Sequence, residues 1–364
     1  MSEQTLLAAL KLDIVVIGAG QAGLSAAHHL RKLRLEPERD FLVLDQAPQP
    51  GGAWQYRWPS LTLSTVNRVH DLPGLAFGDF SGGDDTVRAS VAVPHYFAAY
   101  ETHFDLRVLR PATVKVVCNR GERLRVETDR GLIPARGIIN ATGTWENPYI
   151  PEYPGAERFK GQTLHTRDFQ TADAFAGKHV LIVGGGISAI QLLDQISQVT
   201  RTSWVTRTPP RWRTGPFDED AGRKAVAMVE ERVRAGLPPR AVVSVTGLPV
   251  TPAIEAMRKR GALDRQPMFS EITPTGVRWD DGRMLDVDVI LWCTGFRSAL
   301  DHLAPLQIRE EAGGITMTGR LATQVAKDPR VHLVGYGPSA STIGANRAGA
   351  AAARELTSFL KLVA

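Results

Sequence analysis

The chain has 364 residues, of which 43% are hydrophobic and 22% charged, and these proportions exclude a disordered or fibrous protein. This length predicts about two domains with sizeable cores. The formal net charge of +5 comes without a long run of Lys or Arg, so we expect no nucleic-acid partner and no membrane partner.

The two cysteines, Cys118 and Cys293, lie far apart in the chain, which argues against a disulfide framework, a zinc ribbon or a dithiol redox centre. Residues 1–11 lack the pattern of a signal peptide, and no apolar run approaches the about 20 residues of a membrane span. We therefore expect a reduced, soluble, cytoplasmic protein.

The first predicted elements form a strand–turn–helix unit. A buried strand at Asp13–Ile17 leads into the glycine-rich turn Gly18–Gly23, which is followed by a helix at Leu24–Lys32. A second strand at Asp40–Leu44 ends in Asp45, about 20 residues after the turn. This order is typical of a dinucleotide-binding unit.

The glycines of this turn have separate roles. Gly18 permits the tight turn, Gly20 lets a pyrophosphate approach the backbone, and Gly23 lets the helix pack against the strand. Free N–H groups at the helix N-terminus attract the phosphates, and Asp45 would accept hydrogen bonds from ribose hydroxyls. The first site therefore suits a nucleotide without a 2′-phosphate.

The same arrangement returns later in the chain. A strand at His179–Val183 is followed by the turn Gly184–Ala189, a helix at Ile190–Val199 and a strand at Thr202–Thr206. Alanine in place of the third glycine is permitted in this motif. The repeat predicts a second nucleotide-binding unit rather than a solenoid.

The two units differ in the charge that follows their second strand. Where the first unit has an acid, the second has Arg207, which can pair bidentately with a 2′-phosphate. Thr208 can add a hydroxyl donor. The second site therefore favours NADPH, with weaker use of NADH.

Two late strands and a closing helix return the chain to its first unit, at Val289–Cys293, Arg330–Val334 and Ala345–Val363. We therefore predict an α/β fold with two doubly wound Rossmann-like dinucleotide-binding domains, the NADPH domain being inserted into the FAD domain. The active site is expected in the cleft between them. The predicted bounds are residues 1–157 and 287–364 for the FAD domain and 158–286 for the NADPH domain.

Two dinucleotide sites in one chain imply hydride transfer between cofactors, most simply from NADPH to FAD. The turn Gly51–Trp54 would bring backbone and an aromatic ring close to the isoalloxazine. Ser341–Gly344 opens the last helix, whose free N–H groups could stabilise negative charge on the reduced flavin.

In this order the motifs are highly specific, and the chain resembles the class B flavin-dependent monooxygenases over nearly its whole length. It is most similar to the short bacterial flavin-containing monooxygenases and less similar to the plant enzymes of auxin synthesis. Besides the two glycine turns and Gly51–Trp54, the matching motifs are Ala141–Gly143, Pro151–Gly155, Phe159–His165 (the FxGxxxH signature), Cys293–Phe296 and Ala340–Gly344.

The resemblance implies a mechanism in which NADPH reduces FAD and dioxygen adds to give a C4a-(hydro)peroxyflavin. The distal oxygen then passes to a small organic sulfide, amine or ketone. The resemblance also implies a homodimer. The Baeyer–Villiger signature continues after His165 to a tryptophan and then Pro or Asp, whereas this chain has Phe169 and Gln170. That departure favours heteroatom oxygenation without excluding ketone oxidation.

The resemblance gives two catalytic candidates, each with a second interpretation. Asn67 is the nearest counterpart of the family's active-site asparagine, or a loop residue. His165 is a hinge residue between the domains, or a proton donor. Contacts with the two cofactors are predicted for Gly18, Gly20, Gln21, Ala22, Gly23, Asp45, Gln46, Gly52, Trp54, Thr142, Gly143, Gly184, Gly186, Ser188, Ala189, Arg207, Thr208, Thr294, Gly295, Thr342 and Ile343.

Other functions remain open from the sequence. An NADPH oxidase or electron-transfer reductase would use the same cofactors without inserting oxygen. A thioredoxin-reductase-like enzyme would need a CxxC dithiol, which the chain lacks. A flavin-binding module without turnover would not need both glycine turns, nor both of the charged residues that follow the second strands, Asp45 and Arg207. We expect a small-molecule substrate, dioxygen as co-substrate and no metal.

Overall fold

The computed structural model describes residues 11–66, 69–81, 83–213, 219–239 and 247–362. These residues form two compact units. Unit 1 takes the described residues of 1–146, 226–240 and 298–364, and unit 2 takes those of 147–225 and 241–297.

Short strands dominate both units. The strands are β1 (Leu12–Ile17), β2 (Phe41–Leu44), β3 (Val114–Arg120), β4 (Arg123–Thr128), β5 (Leu132–Asn140), β6 (Gln162–His165), β7 (Val180–Val183), β8 (Thr202–Thr206), β9 (Trp212–Arg213), β10 (Leu248–Pro249), β11 (Arg265–Pro267), β12 (Glu271–Thr273), β13 (Gly276–Arg278), β14 (Met284–Asp286), β15 (Val289–Trp292), β16 (Met317–Thr318), β17 (Gln324–Val325) and β18 (Asp328–Leu333). The α-helices are α1 (Gln21–Lys32), α2 (Gly78–Ser81), α3 (Ala89–His103), α4 (Ile187–Ile196), α5 (Glu219–Arg234), α6 (Pro252–Lys259) and α7 (Thr342–Phe359). Single 3₁₀ turns occur at Gly52–Tyr56, Ala156–Arg158, Thr166–Asp168, Ala172–Phe175, Asp301–Leu306 and Gly337–Ser339.

Unit 1 is built on an eight-stranded sheet whose main order is β16-β17-β18-β5-β1-β2, with β4 joining β3 to β5. β1 runs parallel to β2 and β5, and β18 runs parallel to β5, so the carboxyl ends of these four strands share one edge. After β2 the chain returns to the other side of β1. The strand order therefore reverses at the end of β1, where open α/β sheets bind their ligands.

Alternate side chains of β1 enter two different cores. Ile14 and Val16 pack in a cluster with residues of α1, α3 and α7, whereas Val15 and Ile17 pack with residues of β3, β4 and β5. Because both faces of the strand are covered, its sequence is apolar nearly throughout and shows no alternation with polar residues.

Helices α1 and α7 pack closely because small residues line their contact. A Cβ added to Gly349 would lie 2.8 Å from the backbone nitrogen of Ala26. Nearer the start of both helices, Ser25 donates a hydrogen bond from Oγ to the Asn346 carbonyl (2.9 Å). The contacts run in the same order along both helices, so their N-termini lie on the same side of unit 1.

Unit 2 contains a five-stranded parallel sheet in the order β11-β8-β7-β15-β6. Helix α4 connects β7 to β8, and a separate antiparallel sheet of β12, β13 and β14 packs its apolar side chains with Phe269 and Trp292. The parallel central strands of the first sheet and the fully parallel second sheet confirm the predicted α/β class with two Rossmann-type units.

The bounds of the units differ from the predicted domain bounds at β15. We predicted residues 287–364 to belong with the first domain, but β15 pairs with β6 and β7 in the middle of the second sheet. Unit 2 extends to Arg297, it begins at Asn147 rather than at residue 158, and residues 226–240 within the predicted second domain belong to unit 1. The sequence of β15 is a uniformly buried run, which fits the centre of either sheet and could not decide between them.

Candidate cofactor and substrate site

The turn after β1 is fixed by contacts that leave no room for side chains. Gly18 has a φ of 101° and donates from N to the Leu44 carbonyl (2.7 Å). A Cβ on Gly18 would lie 2.5 Å from the Ala141 carbonyl oxygen, and one on Gly23 would lie 1.8 Å from the Gly18 carbonyl oxygen. The first and third glycines therefore have the packing roles that their spacing predicted.

Gly20 lies in a different environment from its neighbours. It is the N-cap of α1, no side chain caps that helix end, and no atom lies within 4 Å of an ideal Cβ on Gly20. Open space in front of uncapped helical N–H groups is what a phosphate needs. This geometry fits the pyrophosphate of a dinucleotide, with Gln21 and Ala22 in the first turn of the helix.

Asp45, after β2, is oriented by backbone hydrogen bonds. Its Oδ2 accepts from Ala19 N (2.7 Å) and its Oδ1 from Ala47 N (2.8 Å), while the residue is only 7% exposed. Burial raises the pKa of the Asp45 carboxyl, and these two N–H donors oppose that shift. Each oxygen keeps a lone pair for a ribose hydroxyl, whereas the side chain of Gln46 is exposed.

A polar network that we did not predict joins the starts of α1 and α7. Gln21 donates from Nε2 to Asn346 Oδ1 (2.9 Å), and Asn346 donates from Nδ2 to the Asp71 carbonyl (2.6 Å). In the sequence, Asn346 is one polar residue in an alanine-rich helix. Its position near the helix start was the one feature that could have indicated a role at the site. Thr342 and Ile343 form the first turn of α7, which is capped by Ser341.

The turn after β5 is held by a second buried network. Asn140 donates from Nδ2 to Thr142 Oγ1 (3.0 Å), and Thr142 donates to the Ala299 carbonyl (2.7 Å). His302 donates from Nε2 to Asn140 Oδ1 (2.7 Å). Burial lowers the pKa of His302 to about 4, so this histidine is neutral at pH 7. The Thr142 hydroxyl is thus already hydrogen-bonded within the protein. Only the backbone groups of Thr142 and Gly143 are left for a contact with a cofactor.

The Gly51–Trp54 segment lies directly against the first glycine turn. A Cβ on Gly52 would lie 3.0 Å from Gly20 Cα, so only glycine lets the two turns approach this closely. Trp54 is half-buried against the unit 1 core. The segment therefore lies beside the predicted phosphate position, and its predicted contact with the isoalloxazine stays a prediction.

The glycine turn of unit 2 repeats the geometry of the first. Gly184 has a φ of 136°, a Cβ there would lie 2.3 Å from the Cys293 carbonyl oxygen, and its own carbonyl accepts from Trp204 Nε1 (2.7 Å). Gly186 is the N-cap of α4, without a side-chain cap and with no atom within 4 Å of an ideal Cβ. Ser188 and the buried Ala189 lie in the first turn of that helix.

The residues after β8 are positively charged and open to solvent. Arg207 and Thr208 are exposed, and in the described part of the chain Arg207 has no ion-pair partner. The Thr206 hydroxyl fixes the strand end by donating to the Thr208 carbonyl (2.8 Å). Arg265 adds a second cation that we did not predict, with Nη1 donating to the Thr206 carbonyl (3.0 Å).

His165 uses both ring nitrogens in the backbone of unit 2. Its Nδ1 accepts from Arg167 N (3.1 Å), so Nε2 carries the proton and donates to the Gly295 carbonyl (2.9 Å). The ring is 2% exposed, and burial lowers its pKa. This geometry favours the structural interpretation over that of a proton donor. Thr294 likewise donates its hydroxyl to the Tyr149 carbonyl.

Asn67, the other catalytic candidate, lies outside the described residues.

Among the described residues, no group of three or more His, Cys, Asp or Glu side chains could hold a metal ion. None of the helices described in either unit is long and apolar enough to cross a membrane.

Comparison with known proteins identifies the family. Residues 15–236 match the family model described as pyridine nucleotide-disulphide oxidoreductase. A solved flavin-containing monooxygenase from Stenotrophomonas maltophilia is 36% identical, with a TM-score of 0.80 over 96% of this chain and 100% of that one. The chain belongs to the pyridine nucleotide-disulphide oxidoreductase family, and within it the chain is a class B flavin-dependent monooxygenase. The predicted family, fold class and enzyme type are thereby confirmed, and this monooxygenase uses FAD and a pyridine nucleotide.

Two curated relatives carry more specific descriptions. A Baeyer-Villiger monooxygenase from Streptomyces coelicolor is 30% identical over 62% of this chain but only 42% of that protein, so the match spans less than half of the relative. An indole-3-pyruvate monooxygenase from Oryza sativa is 27% identical over 78% of this chain and 76% of that protein. A further solved form of the Stenotrophomonas enzyme, with TM-score 0.82 and 36% identity, replaces an adjacent glutamine and histidine by arginine and threonine.

Proposed function

We propose that this protein is an NADPH-consuming, FAD-dependent monooxygenase that oxygenates small organic sulfides, amines or ketones. The observation that carries the proposal is the pair of matched glycine turns, each with open space at an uncapped helix N-terminus, at Gly20 and Gly186. Two such sites in one chain suit two dinucleotides, one supplying hydride and the other receiving it.

The residues after the second strands distinguish the two sites. The Asp45 carboxylate would accept hydrogen bonds from ribose hydroxyls and would repel a 2′-phosphate. FAD is therefore assigned to unit 1. Exposed Arg207 would pair with a 2′-phosphate, so NADPH is assigned to unit 2, with NADH bound more weakly. The arginine and threonine introduced in the Stenotrophomonas variant are the same residue types as Arg207 and Thr208.

FAD, once reduced, supplies the activation of dioxygen, and the chain's residues bind and position the cofactors. The backbone of Gly20 and the α1 N-terminus would hold the pyrophosphate, and Asp45 would fix the ribose. The backbone N–H groups of Thr342 and Ile343, which precede the Gly344 N–H that Ser341 caps, would lie close by, because the Gln21–Asn346 bond ties the two helix ends together. Positive helix ends there would stabilise negative charge on a reduced flavin.

Heteroatom oxygenation is the favoured reaction type, with ketone oxidation as the second. Phe169 stands where the Baeyer–Villiger signature has tryptophan, and it is buried, with its ring stacked on that of Phe175. It therefore serves as a core residue of unit 2 and has no N–H with which to contact a ligand. The Streptomyces relative supports ketones as the second substrate class.

The proposal is tested by reducing the FAD-loaded protein anaerobically with NADPH and mixing it with oxygenated buffer. We expect a transient near-ultraviolet absorbance band before oxidised flavin returns, and a sulfoxide when a methyl aryl sulfide is present. A direct return to oxidised flavin, with hydrogen peroxide equal to the NADPH consumed and no sulfoxide, would contradict the proposal and indicate an oxidase or reductase.

A further inference from the structure

Arg57 is held between aromatic rings beside the glycine turn of unit 1. Its guanidinium carbon lies 4.8 Å from the ring centre of Trp145 and 5.9 Å from that of Trp54. Tyr56 stacks on Trp145, with ring centres 6.0 Å apart and planes at 12°. We call these four residues the Arg57 cluster.

The cluster is attached to both segments that border the predicted FAD phosphates. Trp54 lies in the 3₁₀ turn that begins at Gly52, which packs on Gly20. Trp145 follows the turn after β5, whose first residue, Ala141, contacts Gly18. The cluster therefore lies at the carboxyl end of the unit 1 sheet, where a doubly wound sheet binds its ligands.

Arg57 differs from the other shielded arginines of unit 1. Arg110 pairs with Glu101 at 2.8 Å and Arg330 pairs with Asp328 at 2.8 Å. Arg57 has no carboxylate or carbonyl partner for its side chain within the described ranges, where its contacts are with indole rings. Burial alone lowers the pKa of Arg57, with no acid opposing it.

A guanidinium carries five N–H donors, and none of the Arg57 nitrogens is among the buried polar atoms that lack a partner, so these donors can be reached by a ligand. Cation–π contacts satisfy the ring-facing surfaces of the guanidinium plane, whereas its edge remains available for hydrogen bonds. A planar fork of this kind matches a carboxylate bidentately. The neighbouring indoles would at the same time contact an apolar or aromatic part of the same ligand.

We propose that Arg57 binds the carboxylate of the substrate, so that the monooxygenase acts on organic acids carrying the sulfide, amine or ketone. This inference rests on the proposed function and names the substrate class of that site. A nucleotide phosphate is the other anion that a guanidinium could bind. The carboxylate is favoured because Gly20 and Gly186 already provide uncapped helix N-termini for the phosphates of both cofactors.

The test measures binding separately from turnover. Oxidised, FAD-loaded protein is titrated with 4-methoxybenzoate and with the neutral isostere 4-methoxybenzamide, and binding is followed by the flavin absorbance change and by tryptophan fluorescence. The variants are Arg57→Gln, Arg57→Lys and, as a matched control, Arg283→Gln, which removes another arginine stacked on an indole (5.0 Å from Trp279). FAD content and thermal unfolding are measured for each.

We expect wild type to bind the benzoate about 10- to 100-fold more tightly than the benzamide, and Arg57→Gln to abolish this preference. Arg57→Lys should retain part of it, because it keeps the charge but loses the planar fork. Arg283→Gln should bind both compounds as wild type does. With 4-(methylthio)benzoate as substrate, KM should rise in Arg57→Gln by a similar factor.

Three outcomes would overturn the inference. One is equal binding of benzoate and benzamide by wild type. The second is a loss of binding affinity in Arg57→Gln that is equally large for the benzoate and the benzamide. The third is loss of FAD, or a raised KM for NADPH with benzoate affinity unchanged, which would assign the guanidinium to a cofactor phosphate. Because benzoate binding needs no oxygen transfer, the inference can hold or fail independently of the proposed monooxygenase activity.

Discussion

At the scale of single residues, the charge that follows β8 is expected to set the choice of nicotinamide cofactor. Arg207→Ala should raise KM for NADPH about 10- to 100-fold, because it removes a charged hydrogen-bonding partner of the 2′-phosphate, and it should leave KM for NADH nearly unchanged. The measurement is steady-state oxidation of both cofactors. Arg201, exposed just before β8, gives the matched control Arg201→Ala. Equal losses for NADPH and NADH in Arg207→Ala would refute the assignment.

A second residue-scale prediction concerns the network behind the turn after β5. His302→Phe should lower the free energy of unfolding at pH 7.5 by about 1–3 kcal/mol, because it leaves buried Asn140 Oδ1 without its donor. His302→Gln, which can donate to the same oxygen, should recover part of that loss. Denaturant unfolding monitored by tryptophan fluorescence measures both variants. A phenylalanine variant as stable as wild type would show that the bond contributes nothing.

At the scale of the element, the two helix N-termini can be tested as a pair. An ideal Cβ at Gly20 or Gly186 meets no protein atom within 4 Å, and neither glycine has a left-handed φ, so alanine at either position should fold normally. The added methyl group would instead occupy phosphate space. Gly20→Ala should therefore yield folded but colourless protein, whereas Gly186→Ala should remain yellow and lose NADPH-dependent flavin reduction.

The control for this pair is Gly23→Ala, whose Cβ would lie 1.8 Å from the Gly18 carbonyl oxygen. That variant should lose FAD because the α1–β1 contact itself is disrupted, and thermal unfolding should report a much lower midpoint. A fully yellow Gly20→Ala protein would contradict the FAD assignment to unit 1. A Gly186→Ala protein that NADPH still reduces at the wild-type rate would contradict the NADPH assignment to unit 2.

The elements show which parts of the site the sequence could predict. A strand, its glycine turn and its helix are adjacent in the chain, so local spacing was enough to predict them. Gln21 and Asn346 meet across 325 residues, and His302 reaches Asn140 across 162, so no local pattern indicated either contact. The predicted boundary at residue 287 placed β15 in the wrong sheet for the same reason, since strand pairing is a long-range property.

At the scale of the whole molecule, buried neutral histidines are expected to set the acid limit of stability. Burial lowers the pKa to about 4 for His302 and to about 3 for His332, and like-charged neighbours add to burial in lowering that of His29 to about 4. An unfolded histidine titrates near pH 6.5, so below that pH the unfolded chain binds more protons than the folded one. The free energy of unfolding should therefore fall as pH decreases from about 6.5 toward about 4. The raised pKa values of Asp45 and Glu101 act in the opposite sense and offset part of this fall.

His332→Leu tests this account directly, since His332 is fully buried and its Nε2 has no hydrogen-bond partner among the described residues. The variant should lose stability at pH 7.5 only through the bond between His332 Nδ1 and Thr323 Oγ1. Between pH 6.5 and 4.5, however, its free energy of unfolding should fall less steeply than that of wild type, by up to about 1.4 kcal/mol per pH unit for the one proton removed. Urea unfolding at four pH values across this window measures both slopes. Parallel slopes would mean that His332 takes up no extra proton on unfolding, and the fall in stability across this window would then have to come from His302, His29 and the other titrating groups.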